Sequence, residues 1–449
     1  MTAADRSRAA AHLSKALTYR TISFSEEDLA DDSAFEAFLS FLERTYPTVY
    51  ERMNVTLINK YSPVYHLKGR QKGKLPVLLL GHYDVVPVEE NTMTDWKRDP
   101  FGGEVHESHI YGRGAMDDKN QVISIMESLE TLLHEGYEPD RDIFVAFGFD
   151  EEVGGEQGAK AIAKYFEEKG LRFHLVLDEG GAVVLDTVEG VKTPLGLIGV
   201  AEKGSSMIRI TAYGDGGHSS MPKKGSSVEV LSQAVLNLMR NPMKPRLTPP
   251  VRELFHGMAP FLGAKGILLR HVDWTFPVLA RILSSSSVMN SMVRTTMAMT
   301  MAKAGSAMNV MPQEASVYVN VRILPGDTFE DVLLHMKTVN KDLDLSYEVL
   351  VREEASLISP HESEAFKAVE RNALKVHPDA KVLPYLMAGG SDARKYEKLS
   401  DHILRFSCVR MTSADLDSIH ATNERIHVDQ LFGMIRFYVE LLRDYETSE

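Results

Sequence analysis

The sequence predicts an α/β fold: a helix-covered, mostly parallel sheet that carries an inserted ferredoxin-like α+β unit. Three observations predict it. Short apolar runs alternate with helix-period segments over residues 64–200, a β-α-β-β-α-β order follows, and the helix/strand rhythm resumes from Ser356. The implied division is 1–199 and 356–449 for the main domain, with 200–355 as the insertion. A chain of 449 residues is too long for one compact core, which agrees with two domains.

The elements follow in order. Residues 77–80 and 143–149 are short, continuous apolar runs and read as buried strands. Helix-period segments lie at 121–134 and 157–169, before another strand at 174–177. In the insertion, 207–212 alternates as a half-exposed strand does, and 226–240 has the spacing of an amphipathic helix. Strands at 296–302 and 316–323, a helix at 328–339 and a strand at 347–351 complete that unit. The stretch 241–294, with PMKPRLTPP, Trp274 and the run SSSS, exceeds what a connection needs and reads as an added helical excursion.

Composition narrows the function classes. A hydrophobic fraction of 44% and a charged fraction of 25% are ordinary for a soluble globular protein. The net charge of −13 argues against nucleic acid and anionic membranes, which both call for a basic face. Cys408 is the single cysteine, so disulfides within the chain and zinc–thiolate clusters are excluded. The start, MTAADRSRAAAHLSKAL, lacks an apolar core of signal-peptide length, and the apolar runs are too short for a bilayer. The expected location is cytoplasmic.

Five acid and imidazole strings carry the chemistry: GHYDVVP, GRGAMDDK, FDEEVGG, LDEGG and SIHATNE. Four of them sit where an apolar strand ends, the rim at which open α/β sheets build sites. His82 can ligate a metal through one ring nitrogen while Asp84 holds the other. Asp117 and Asp118 open a helix, where acids also serve as plain caps. Asp150, Glu151 and Glu152 repel one another at a strand end, so a positive partner is expected, although an exposed acidic turn has the same spelling. Asp178 and His420 are weak signals alone. Together the strings suit two divalent cations and a two-metal hydrolase. Three further signals are ambiguous. His218 lies in a glycine-rich turn, Arg322 on a strand, and MAGGSDAR is a turn able to offer backbone N–H groups.

As an ordered set, the strings resemble the zinc exopeptidase and deacylase family of carboxypeptidase S, acetylornithine deacetylase, succinyl-diaminopimelate desuccinylase and aminoacylase-1. The likeness runs from about Thr18 to the C-terminal helix and is strongest to the carboxypeptidase S branch. It implies that His82 and Asp178 hold one zinc, that Glu152 and His420 hold the other, and that Asp117 bridges them. It further implies Glu151 as general base, Asp84 as the group orienting His82, and a cis peptide at Asp117–Asp118. His218 would act on the partner subunit's active site in a homodimer formed through a lid domain, and Arg322, Asn309, Gly389 and Gly390 would bind substrate. The implied reaction is cleavage of an amide beside a free-carboxylate amino acid in a dipeptide or short peptide. Zinc is the expected metal, with cobalt or manganese also suited to such ligands.

The rival within the same chemistry is an N-acyl-amino-acid amidohydrolase, with Met289, Met292, Met297 and Met299 lining an acyl pocket or forming plain core. A two-metal phosphodiesterase uses similar ligands but calls for basic groups around phosphate, and the strings are mostly acidic. A metal-stabilised binding protein without catalysis is opposed by an intact Glu151 beside a full ligand set.

Overall fold

The computed structural model describes residues 3–25, 28–29, 31–188 and 190–447. Two compact units emerge. The first comprises 1–200, 359–385 and 391–449, and the second 201–358 with 386–390.

Unit one is built on a sheet of ten strands among the described residues. Its centre is parallel. Ile403–Arg405, Leu175–Asp178, Val77–His82 and Ile143–Gly148 lie side by side in that order and run the same way. Its flanks are not. Ser62–Leu67 pairs antiparallel with Ile143–Gly148, and Asn54–Ile58 antiparallel with Ser62–Leu67. Leu195–Glu202 is antiparallel to Ile403–Arg405. The sheet is therefore mixed rather than mostly parallel. One of these antiparallel pairs is a hairpin: Asn59 and Lys60, both at positive φ, turn Asn54–Ile58 straight back into Ser62–Leu67, whereas the other two join segments distant in sequence.

The central strands are apolar throughout because helices cover both of their faces. Leu78, Leu80, Phe144, Ala146 and Val176 pack with Ile162, Ala163 and Phe166 of the helix Ala159–Glu168. The helix Lys119–His134 is tied to the sheet by Gln121 Nε2, which donates to the Leu80 carbonyl at 3.0 Å. The C-terminal helix Val428–Thr447 joins that layer, where Ser128 Oγ donates to the Ile435 carbonyl at 2.9 Å.

Unit two is a four-stranded antiparallel sheet in the order Thr296–Ala304, Glu314–Ile323, Gly204–Tyr213, Leu345–Arg352. Numbered along the chain that order is 2-3-1-4, the ferredoxin-like arrangement. Its helices are Ser227–Arg240, capped by Ser226, and Phe329–Val339, opened by a Thr328–Asp331 capping box. They bury Leu231, Leu238, Val332 and Met336 against Ile208, Ile210, Val317, Val319 and Val321. Met297 and Met299 pack against this same core, and Met292 is buried. Three of the four methionines considered for an acyl pocket, Met292, Met297 and Met299, thus behave as packing residues. The excursion folds as four helices, Pro249–Met258, Gly263–Arg270, Val272–Leu283 and Ser287–Val293, with a short 3₁₀ turn between the first two.

Candidate metal centre

Three neighbouring parallel strands of unit one end in acid or imidazole: Val77–His82 at His82, Ile143–Gly148 just before Asp150–Glu152, and Leu175–Asp178 at Asp178–Glu179. Parallel alignment brings these ends to one rim. Two distant segments complete the group, Asp117–Asp118 ahead of the helix Lys119–His134 and His420 ahead of the C-terminal helix.

Asp117 is the centre of the arrangement. Its Oδ1 lies 3.0 Å from His82 Nε2 and its Oδ2 lies 3.0 Å from His420 Nε2. One carboxylate therefore faces both imidazoles, one oxygen to each. Glu152 Oε1 stands 3.2 Å from His420 Nε2, and Glu151 Oε2 stands 4.0 Å from His82 Nε2. The peptide joining Asp117 and Asp118 is cis. His420 itself sits at φ +60°, a conformation that is uncommon for a non-glycine residue and recurs where surrounding structure fixes a functional side chain.

Asp84 organises the ligands without joining them. Its Oδ1 is 3.2 Å from His82 Nδ1, and its carboxylate accepts from the backbone N–H groups of Glu151 and Glu152, both at 3.2 Å, and from Ser23 Oγ at 2.6 Å. One buried carboxylate thus sets the ring of His82 and the turn that presents two glutamates.

At Asp178–Glu179 the two carboxylates face different partners. Asp178 Oδ2 accepts from the Ala393 N–H at 2.7 Å, and the carboxylate that meets His82 is that of Glu179, with Oε1 3.3 Å from Nε2. Successive side chains at a strand end leave on opposite sides, so only one of an adjacent acid pair can face the imidazole. Two sets of potential ligand atoms come within 4.8 Å of one another: His82 with Asp117 and Glu152, and His82 with Asp118 and Glu179. Asp178 belongs to neither.

Sequence reasoning also missed a brace behind the centre. Glu424 Oε1 accepts from the N–H of Met116 at 2.8 Å and of Asp117 at 3.3 Å, while its Oε2 accepts from Arg113 Nη1 at 2.7 Å. Arg113 Nη2 in turn donates to the His420 carbonyl at 3.2 Å. This buried ion pair ties the Asp117 backbone to that of His420 across about three hundred residues of sequence. Glu179, Arg113 and Glu424 all lie inside the quoted strings, so the letters were visible, but nothing local marked their partners.

The electrostatics test whether divalent cations fit. Among the described residues the ion-pair partners of Asp117, Glu151, Glu152 and Glu179 are His82 and His420, so even two imidazolium ions leave two negative charges over. Burial pushes the Glu151 carboxyl well above its ordinary range, with the charges of Glu179, Asp392 and Glu152 adding to the effect and His82 opposing it. Glu179 is pushed up to about 8 by burial and by Asp117. His420 rises to about 10 through its bonds to Asp117 and Glu152. Asp118 Oδ1 is buried without a hydrogen-bond partner among the described residues. A surplus of buried oxygen donors around two imidazoles fits a pair of dications, which supply the missing charge and leave the carboxyls ionised.

The other anticipated residues lie in unit two. His218 is on a short strand paired with Val310–Met311, and the Asn309 carbonyl accepts from Ser219 N–H at 3.1 Å, so His218 and Asn309 are neighbours. Arg322 is on Glu314–Ile323, opposite Ser205 and Thr296. Gly389 and Gly390 belong to the segment 386–390.

Residues 78–444 match the model of peptidase family M20/M25/M40. A probable carboxypeptidase S-like protein 2 of Dictyostelium discoideum is 36% identical over 97% of this chain and 85% of its own length. The N-fatty-acyl-amino acid synthase/hydrolase PM20D1 of Xenopus tropicalis is 34% identical over 99% and 87% respectively. Among solved structures, the M20 family metallo-carboxypeptidase Sso-CP2 of Sulfolobus solfataricus superimposes with a TM-score of 0.71 at 20% identity, covering 98% of this chain and 99% of that one.

Proposed function

The chain belongs to peptidase family M20/M25/M40 and is a metal-dependent hydrolase, and from that premise we propose the following roles. It cleaves the amide bond beside a free-carboxylate amino acid in a dipeptide or short peptide. The observation that carries this reading is the single carboxylate of Asp117, set 3.0 Å from each of two imidazoles with Glu151 beside them.

His82 with Glu179 would hold one cation, Asp178 standing beside them against the Ala393 N–H, and Glu152 with His420 would hold the other, with Asp117, which faces both imidazoles, serving both. Two dications held there, of which zinc suits these ligands best, would supply Lewis acidity. Glu151 takes the proton of the attacking water and later delivers it to the leaving nitrogen. Asp84 keeps His82 in the tautomer that leaves Nε2 free to ligate. In unit two, Arg322 forks onto the substrate carboxylate, His218 meets the charge that develops on the carbonyl oxygen, and Asn309 with the backbone at Gly389 and Gly390 orients the substrate. A homodimer through unit two is part of the same reading.

A second reading, hydrolysis of N-acyl amino acids, is supported by the likeness to the N-fatty-acyl-amino acid enzyme. Turnover of a blocked dipeptide against that of an N-acyl leucine, on protein with its metal content measured, separates the two. The peptidase reading expects two metal equivalents per chain and preference for the dipeptide. Absence of any metal-dependent amide hydrolysis sinks both.

A further inference from the structure

The helix Val272–Leu283 is apolar on both sides. Val272, Leu279 and Ala280 face inward and are buried. On the opposite side Trp274, Val278 and Ile282 are 88%, 60% and 56% exposed, spaced four residues apart so that they form one stripe. The preceding helix adds Ile267 and Leu268, both exposed. Thr275 Oγ1 donates to the Leu268 carbonyl at 2.6 Å, which sets that pair beside the turn bearing Trp274. An exposed apolar stripe on a helix whose other side is already buried marks an interaction surface.

The charge around the stripe indicates which partner. Residues 241–294 hold seven cations (Lys244, Arg246, Arg252, Lys265, Arg270, Arg281 and Arg294) against Glu253 and Asp273, in a chain of net charge −13. Arg252 pairs with Asp273 at 2.7 Å. Lys265, Arg270 and Arg281 are exposed, and among the described residues no carboxylate comes within ion-pair distance of them. Positive charge without a carboxylate partner is thus carried on the same two helices as the stripe.

We propose that this face docks onto an anionic phospholipid surface. The aliphatic side chains enter the outer acyl region, Trp274 sits at headgroup level, and Lys265, Arg270 and Arg281 meet the lipid phosphates. The whole-chain charge conceals this, because the acidic remainder outweighs a local basic segment. Docking of this kind does not depend on which amide the metal centre cleaves.

Vesicle flotation tests it, using the intact protein with phosphatidylcholine vesicles that contain or lack phosphatidylglycerol. The protein has two tryptophans, and Trp96 is buried, so a blue shift on mixing reports Trp274. The expected result is flotation and a blue shift with the anionic vesicles alone, reversed by high salt. The Trp274→Ser/Ile282→Ser variant should lose about tenfold or more in bound fraction, with hydrolysis of a soluble dipeptide unchanged. Failure to float at any phosphatidylglycerol content, or equal flotation of the variant, overturns the proposal. So does sedimentation showing that the substitutions split a dimer, which would make the stripe a contact between copies of the chain.

Discussion

Two regions of this molecule break the usual partition of residues in opposite senses. At the strand ends of unit one, carboxylates are buried in excess of the imidazoles that face them. On the excursion of unit two, Trp274, Val278 and Ile282 are exposed beside unpaired cations. Buried charge and exposed apolar surface are the two informative departures from ordinary folding, because each leaves a free-energy cost that a partner can remove. The first region lacks positive charge and calls for cations. The second lacks an apolar, negatively charged cover and fits a lipid surface.

The contrast can be broken most sharply at Asp117. Asp117→Asn keeps the shape but removes the charge facing both imidazoles, so bound metal and activity should fall together to background, read by elemental analysis and turnover. Glu151→Gln comes next. If Glu151 moves a proton rather than holding metal, kcat drops about 10²- to 10⁴-fold while metal content stays at the wild-type value. Near-normal turnover in that variant would remove the general base from the mechanism.

The acid pair sharpens the picture. Because Glu179 faces His82 and Asp178 faces the Ala393 N–H, Glu179→Gln should cost one metal equivalent and Asp178→Asn should retain both. The reverse outcome would support Asp178 as the ligand, the assignment implied by the family resemblance. Glu424→Gln weakens the hold on the Asp117 backbone and on Arg113 without touching a ligand directly. Metal affinity should fall about ten- to a hundredfold with the fold intact by circular dichroism. At the far end of the scale, Trp274→Ser should shift unfolding stability by no more than about 0.5 kcal/mol in denaturant titration, since the side chain has little to lose inside the protein. A large loss there would mean that the stripe is structural.

Much of this was legible in the chain. The apolar runs ending in His82, in Asp150–Glu152 and in Asp178 located three strand ends, because a strand buried on both faces must be apolar until it emerges. The β-α-β-β-α-β order of the second unit followed from local period alone. Net charge was less instructive. A value of −13 argued against anionic membranes for the chain as a whole, yet it averages over a basic segment whose exposure no composition records.

What the sequence determined by itself was the residue chemistry and the local period: which segments form strands and helices, and which acids and imidazoles stand at their ends. Tertiary structure alone decided which neighbour of the Asp178–Glu179 pair meets His82, that Arg113 and Glu424 join Asp117 to His420, that the flanks of the sheet run antiparallel, and that Trp274 faces outward. The physical reason is range. Periodicity records burial over a few residues, whereas pairing across some three hundred residues, and the direction in which a side chain leaves a strand end, are set by packing.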